Sequence, residues 1–174
     1  GCYASIGDSE MAIANYQKAL EFEPEYPIPK HMFNSLTGHT SKEPPKQYVK
    51  NLFDDYAYRF NDALVNNLQY NLPFIIKELI LQSNSEKSKY KNVIDLGCGT
   101  GLAGKDLRYI SSNLTGVDIS ENMISEAKKL DIYDTLIVGD IVEKLNASQD
   151  KFDLLLALDV LIYIGDVQSI FKAV

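Results

Sequence analysis

The sequence contains only two cysteines, two histidines and no long run of apolar residues. Cys2 and Cys98 are too few for a disulfide framework, so reduced thiols and a cytoplasmic location fit best. His31 and His39 are too few and too dispersed to form a metal site, and we predict no metal. A membrane-spanning helix needs about 18 consecutive apolar residues, and no segment reaches that length, so we expect no membrane association.

Basic residues are outnumbered by acidic ones, 17 to 24, which gives a formal net charge of -7. Such a chain repels a polyphosphate backbone, so nucleic acid is a poor candidate for a partner. The 174 residues are 45% hydrophobic, enough for one sizeable core and a small accessory element. The chain opens with Gly-Cys-Tyr rather than Met, so we expect that Gly1 is not the natural start.

Residues 1–24 have the spacing of a helical hairpin, with Gly7-Asp8 as the turn. Ala12 and Ala19 would let a second helix approach closely, and Pro24 would end it. The run from Gly7 to Pro24 resembles the last three quarters of a tetratricopeptide repeat (TPR), a unit that occurs in arrays and presents a concave surface. The resemblance implies further repeats upstream and a protein or peptide partner; an ordinary amphipathic hairpin is the alternative.

Two further segments precede the next domain. Residues 25–46 hold four of the six prolines, which indicates a linker with a short helix near His31 to Leu36. Residues 47–90 form a helical lead-in, because apolar and aromatic positions recur every three or four residues from Tyr48 to Leu81. We predict two helices here, broken at Pro73.

Residues 91–174 alternate between short apolar runs and helical patterns. This order predicts an α/β fold with a parallel sheet and right-handed crossovers. The predicted strands are residues 92–96, 114–118, 135–138 and 152–158, and the predicted helices are residues 102–110, 121–130 and a short one near 141–146.

The first predicted strand runs into the loop Gly97-Cys98-Gly99-Thr100-Gly101, where a ligand could press against bare backbone. A dinucleotide fingerprint would place its last glycine where Leu102 stands. Asp95, two residues before the loop, also disfavours a phosphate and suits a ligand that carries an ammonium and a sulfonium.

Other acids follow the neighbouring strands. Asp118 ends the second strand 23 positions after Asp95, the distance at which a carboxylate meets ribose hydroxyls. Asp140 follows the third strand, where it could accept from an adenine amino group while Ile141 packs on the ring. The fourth strand brings Leu158 and Asp159 to the same edge of the sheet.

Four motifs in this order resemble the class I S-adenosylmethionine-dependent methyltransferases: Val93 to Gly101, Gly116 to Ser120, Val138 to Ile141, and Phe152 to Leu161. The resemblance implies a Rossmann-like sheet of seven strands in the order 3-2-1-4-5-7-6, with S-adenosylmethionine as cofactor. Only strands one to four are present here, so we expect a fragment that is itself inactive. The resemblance implies cofactor contacts at Asp95, Gly97, Cys98, Gly99, Gly101, Asp118, Ile119, Asp140, Ile141, Leu158 and Asp159.

The helical lead-in looks like that of TPR-linked methyltransferases, in which such helices often cover the cofactor. Tyr56 is therefore a further candidate contact, although an aromatic stripe is more often core. Asp159 and Tyr163 are the nearest acceptor-side groups, no catalytic residue is identified, and Ser120 is expected to cap a helix. The alternatives are a non-catalytic TPR scaffold that binds the cofactor and, less well supported, a nicotinamide-dependent oxidoreductase.

Overall fold

The computed structural model describes residues 8–39, 44–83, 89–165 and 167–174. The chain divides into two compact units, Gly1–Val49 with Tyr163–Asp166, and Lys50–Ile162 with Val167–Val174. Within the described residues, no helix is both long and apolar enough to cross a membrane.

In the part of the first unit that the structure describes, α1 (Ser9–Phe22) and α2 (Pro27–Leu36) pack against each other. Helix α1 begins after Asp8, whose carboxylate accepts a hydrogen bond from the backbone N–H of Met11 at 3.1 Å. The small side chain of Ala12 is 3% exposed, as a close helix contact requires. The other helix of the predicted hairpin falls before residue 8, outside the described residues.

Helix α2 is longer than expected for the segment that we interpreted as a linker. It begins at Pro27, four residues before the predicted start. Proline suits the first turn of a helix, because its fixed φ is helical and its missing N–H would have no partner there. The prolines at the start of this segment therefore initiate a helix.

The helical lead-in consists of α3 (Lys46–Asn61), a π-helical turn (Asp62–Asn67) and α4 (Leu72–Ser83). We had predicted that the helices are broken at Pro73. The structure instead interrupts them at residues 68–71. Pro73 occupies the second position of α4, where its missing N–H costs no helical hydrogen bond.

The second unit is built on a four-stranded parallel sheet with the order β3-β2-β1-β4. This confirms the predicted parallel sheet. The elements after α4 are β1 (Tyr90–Leu96), α5 (Gly104–Ile110), β2 (Ser111–Asp118), α6 (Glu121–Lys128), β3 (Thr135–Val138), α7 (Ile141–Ala147), β4 (Leu154–Leu156), a 3-10 turn (Leu161–Tyr163) and α8 (Gln168–Ala173).

Strand β4 is shorter than the predicted residues 152–158. At its start the carboxylate of Asp153 accepts from the backbone N–H of Asn92 at 2.8 Å, so a side chain takes the place of a backbone partner. Beyond its end, Asp159 has a φ of 55°, which turns the chain out of the extended conformation. Only Leu154 to Leu156 therefore pair with β1.

The core of this unit lies between β1, β2, β4 and the helices on one face of the sheet. It comprises Val93, Ala103, Leu107, Ile110, Leu114 and Leu156, with Ile76, Ile80 and Leu81 of α4 packed against them. Each fully buried aliphatic side chain contributes about 1.5–3 kcal/mol. The burial of these side chains joins the lead-in helix α4 to the sheet.

Gly104 is required by the side chains around it. A Cβ atom at this position would lie 2.5 Å from Cδ1 of Ile132 and 2.7 Å from the ring of Tyr133. Alanine normally stabilises a helix by about 0.5–1 kcal/mol relative to glycine, but here the overlap should dominate. We expect Gly104→Ala to lower the free energy of unfolding by about 1–3 kcal/mol in urea denaturation. Lys105→Ala, on the exposed side of α5, is the control, and equal stability of the two variants would contradict this account.

Candidate functional site

The glycine loop connects β1 to α5 at the carboxyl ends of the strands. Gly97 and Gly101 have φ values of 73° and 85°, a region that residues with a side chain rarely adopt. The backbone N–H groups of Gly97 and Cys98 both donate to the carbonyl of Val117, at 2.8 and 3.0 Å. These bonds hold the loop against the end of β2.

Asp118 joins the glycine loop to the loop that follows β2. One carboxylate oxygen accepts from the N–H of Gly99 and the other from the N–H of Ser120, each at 2.9 Å. The side chain is 8% exposed, and burial raises its pKa although these backbone hydrogen bonds act in the opposite direction. The neighbouring Ile119 is partly buried. Asp118 therefore both fixes the two loops and stands at the predicted ribose position.

Asp95 lies beneath the glycine loop. It is 2% exposed, and its carboxylate accepts a hydrogen bond from the hydroxyl of Tyr133 at 2.8 Å. Burial raises its pKa to about 6; the bond from Tyr133 lowers it, and the nearby Asp118 raises it further. The carboxylate is enclosed beneath the loop, and the contact expected between Asp95 and a ligand stays a prediction.

Cys98 is a packing residue within the loop. Its thiol is 6% exposed, and burial, together with the charges of Asp95 and Asp118, raises its pKa well above the ordinary range. The sulfur lies 2.9 Å from where a Cβ on Gly116 would stand. A buried thiol that stays protonated is unsuited to nucleophilic catalysis.

The third predicted acid, Asp140, follows β3 at the same edge of the sheet. Its carboxylate caps α7 by accepting from the N–H of Glu143 at 3.0 Å. The preceding Gly139 donates to the carbonyl of Asp118 at 2.8 Å, so this loop is tied to the end of β2. Ile141 is 8% exposed and packs as the first residue of α7.

The residues after β4 approach the same edge. Leu158 packs against the core, and Asp159 is exposed in a left-handed conformation. Tyr70 of the lead-in is hydrogen-bonded to Asp159 and therefore lies beside the end of β4. Burial and this hydrogen bond raise the pKa of Tyr70. The side chain of Val160 lies over Gly97, 2.5 Å from where a Cβ would stand. The structure thus brings Asp159 to the site but directs Leu158 towards the core.

Residues 50–61 of α3, which we call the cover segment, are fastened to the loop after β2 through Asp54. Its carboxylate accepts from the hydroxyl of Ser120 at 2.6 Å and from the ammonium of Lys50 at 2.6 Å. Its carbonyl accepts from the side-chain amide of Asn122 at 3.0 Å. Burial raises the pKa of Asp54, but the hydrogen bonds from Lys50 and Ser120 outweigh it, and the net pKa is lowered.

The cover segment also meets the glycine loop. The hydroxyl of Thr100 donates to the side-chain oxygen of Asn61 at 2.5 Å. The ring of Phe60 lies 3.6 Å from where a Cβ on Gly99 would stand, and Tyr56 packs edge-on against Phe60 with ring centroids 5.6 Å apart. Tyr56 thus supports the aromatic residue that faces the loop, a role that its position in the sequence did not distinguish.

Four residues of this site were missed in the sequence: Asp54, Phe60, Asn61 and Tyr133. Phe60 belongs to an apolar stripe typical of any packed helix, and the other three carry no local motif. Ser120, by contrast, was predicted as a helix cap, and its hydroxyl accepts from the N–H of Met123 at 3.1 Å. Among the described residues, no group of three or more His, Cys, Asp or Glu side chains could hold a metal ion.

Residues 87–174, half of the chain, match a family described as methyltransferase domain. The chain belongs to this family. The match includes the glycine loop, the carboxylates of Asp95, Asp118 and Asp140, and the end of β4, so these features are those of a methyltransferase domain.

Two curated relatives of this chain are named as O-methyltransferases. The ubiquinone biosynthesis O-methyltransferase of Coxiella burnetii (strain RSA 493 / Nine Mile phase I) is 32% identical over 87 residues, 48% of this chain and 37% of the relative. The malonyl-[acyl-carrier protein] O-methyltransferase of Buchnera aphidicola subsp. Baizongia pistaciae (strain Bp) is 32% identical over 98 residues, 56% of this chain and 39% of the relative. The chain thus spans less than half the length of these relatives.

Solved structures share the fold of this methyltransferase domain. Magnesium protoporphyrin IX methyltransferase from Synechocystis PCC 6803 with bound SAH matches with a TM-score of 0.58 at 20% identity, covering 74% of this chain and 65% of that one. The plantazolicin methyltransferase BpumL, in complex with SAH and a triazolic desmethylPZN analog, matches with a TM-score of 0.51 at 17% identity, covering 75% and 56%. At these identities the likeness is one of fold.

The buried charge of Asp95 should make stability depend on pH. Its pKa in the folded chain, about 6, lies above the ordinary 3.8, so the ionised carboxylate destabilises the folded state. This cost is absent below about pH 4, grows between pH 4 and 6, and reaches about 3 kcal/mol above pH 6. Asp95→Asn should therefore gain about 3 kcal/mol relative to the wild type between pH 4 and pH 8, measured by urea unfolding across that range.

Asp150→Asn, at an exposed position, serves as the matched control for replacing an aspartate by asparagine. A difference between Asp95→Asn and the wild type that does not change with pH would contradict the assignment of a raised pKa to Asp95.

Proposed function

We propose that this chain carries the S-adenosylmethionine site of a methyltransferase that transfers the methyl group from the sulfonium to an acceptor. The observation that carries the proposal is Asp118, a buried carboxylate that joins the N–H of Gly99 to the N–H of Ser120 at the carboxyl end of the sheet. Parallel α/β sheets bind ligands at this edge, and an acid at the end of the second strand is placed for ribose hydroxyls.

The charges around the loop fit this cofactor better than a dinucleotide. Asp95 and Asp118 are 2% and 8% exposed, and both stand at the base of the glycine loop. Their negative charge attracts an ammonium or sulfonium and repels a pyrophosphate. This argument disfavours the nicotinamide alternative, which also lacks its last glycine at Leu102.

The residues divide the binding task among them. Asp118 would hold the ribose hydroxyls, and the backbone at Gly97, Gly99 and Gly101 would face the amino-acid end. Asp140 and Ile141 would meet the adenine edge and ring. The cofactor supplies an electrophilic methyl group, and in-line transfer depends on alignment and on exclusion of water.

The chain contributes to both requirements. Phe60, which Tyr56 supports, covers the loop at Gly99 and keeps water away, and the hydrogen bond between Asn61 and Thr100 holds this part of the helix against the loop. Asp159, exposed after β4, stands nearest to an incoming acceptor. The curated relatives are named as O-methyltransferases, which supports an oxygen as the methyl acceptor.

We further propose that α1 and α2 belong to a TPR region that binds a protein or peptide in the cytoplasm. The run from Gly7 to Pro24 supports this through its resemblance to the repeat. The packing of α1 against α2 and the burial of the small Ala12 support a helical repeat unit. The free, buried thiol of Cys98 fits a reducing compartment.

Binding experiments test the cofactor assignment. Calorimetric titration of the whole protein with S-adenosylmethionine and with NADH should detect the first ligand only. Asp118→Ala and Asp118→Asn should weaken binding of S-adenosylmethionine about 10- to 100-fold, because hydrogen bonds to a charged group are lost. Asp150→Ala is the control at an exposed position. Binding of NADH alone, or unchanged affinity in Asp118 variants that remain folded by circular dichroism, would refute the assignment.

The cover segment makes a separate prediction. Phe60→Ala removes the ring over Gly99 and should weaken binding of S-adenosylmethionine about tenfold, because the bound ligand would stay exposed to water. Tyr58→Ala, on the same helix but 73% exposed, is the matched control. Equal affinities of the two variants in calorimetry would show that Phe60 does not cover the ligand.

A further inference from the structure

Tyr133 precedes β3 and belongs to none of the motifs that identify the family. Its ring nevertheless lies against three glycines: a Cβ would stand 3.1 Å from it at Gly101, 2.7 Å at Gly104 and 3.0 Å at Gly116. Its hydroxyl donates to the carboxylate of Asp95 at 2.8 Å. The ring of Tyr133 thus fills the space under the glycine loop, and its hydroxyl is hydrogen-bonded to Asp95.

The surroundings of Asp95 make this hydrogen bond important. The titratable groups that interact with it electrostatically are Asp118 from β2, Cys98 from the loop, Tyr133 before β3 and Tyr70 from the lead-in. None of these is basic, and burial and Asp118 both oppose ionisation of Asp95. The hydrogen bond from Tyr133 is the interaction in this set that favours the charged form.

We infer that Tyr133 is a positioning residue of the site: its hydroxyl keeps the Asp95 carboxylate ionised and fixed beneath the glycine loop, where the negative charge selects a cationic ligand. The inference rests on the proposed S-adenosylmethionine site. It assigns the preference for a sulfonium over a phosphate to a fixed charge behind the loop, which acts without touching the ligand.

The rival account is that Tyr133 only packs against the three glycines. The variant Tyr133→Phe distinguishes a packing role from a charge-holding role, because it keeps the ring against the glycines and removes only the hydroxyl. A packing role predicts an unchanged site. A charge-holding role predicts that Asp95 takes up its proton at higher pH and that a cationic ligand is bound more weakly wherever Asp95 has become neutral.

The first measurement uses the cofactor-free protein. Carboxyl ¹³C NMR of aspartate-labelled protein, with the Asp95 signal assigned through Asp95→Asn, gives the titration midpoint of this side chain. In Tyr133→Phe the midpoint should rise by about one pH unit, as expected for loss of a hydrogen bond to a charged group. Tyr109→Phe, whose side chain is 66% exposed on α5, should leave it unchanged. An unmoved midpoint in Tyr133→Phe would overturn the inference.

The second measurement is calorimetric titration with S-adenosylmethionine from about pH 5.5 to 8.5. Tyr133→Phe should bind about five- to tenfold more weakly than the wild type at pH 5.5 to 6 and about twofold more weakly near neutral pH, and it should approach the wild type at the alkaline end. In the Asp95→Asn background, Tyr133→Phe should have no further effect, as the double-mutant cycle requires for two residues acting through one interaction. An equal loss at every pH, or an undiminished effect in Asp95→Asn, would assign Tyr133 to packing and overturn the inference.

The two proposals fail in different ways. If the wild type binds no S-adenosylmethionine at any pH while the Asp95 midpoint still moves in Tyr133→Phe, then the proposed cofactor is wrong and the link between Tyr133 and Asp95 stands. If the wild type binds S-adenosylmethionine and the midpoint does not move, the cofactor stands and the role of Tyr133 is refuted.

Discussion

The site depends on one buried carboxylate. A charged group with 8% exposure is stable only when its oxygens are hydrogen-bonded, and Asp118 meets this requirement with backbone N–H groups from two separate loops. The two hydrogen bonds that replace water around the carboxylate are therefore also the ones that fix the conformation of both loops. The glycine loop takes its course because Gly99 must present its N–H to Asp118, and α6 begins where it does because Ser120 is held in the same way.

A second buried acid, Asp95, adds negative charge beneath the glycine loop. Asp95 is enclosed beneath the loop, and burial opposes its charge. A protein that needed only stability would place an apolar side chain there. The retention of a carboxylate at such a position is typical of functional sites, where binding is favoured at the expense of stability.

The parallel sheet and the positions of Asp95, Asp118 and Asp140 were predictable, because they follow from local periodicity and from the rule that parallel strands end at one edge. The order of the strands was predictable only from the resemblance to the family. The contacts that complete the site were not. Tyr133 reaches Asp95 across 38 positions and Asn61 reaches Thr100 across 39, and no local pattern encodes such pairs. Boundaries moved for local reasons: Pro27 and Pro73 start helices instead of ending them, and Asp153 and Asp159 limit β4 to three residues.

The fastening of the cover segment has a consequence for how the chain assembles. Asp54 meets Ser120 and Asn122 across 66 and 68 positions, so α3 is synthesised well before the groups that hold it exist. During translation the helix therefore lacks its contacts with Ser120 and Asn122, and its aromatic face stays uncovered, until β2 and the start of α6 have been synthesised. Contacts of such long separation close late and slowly, which leaves this stretch of the nascent chain open to premature association.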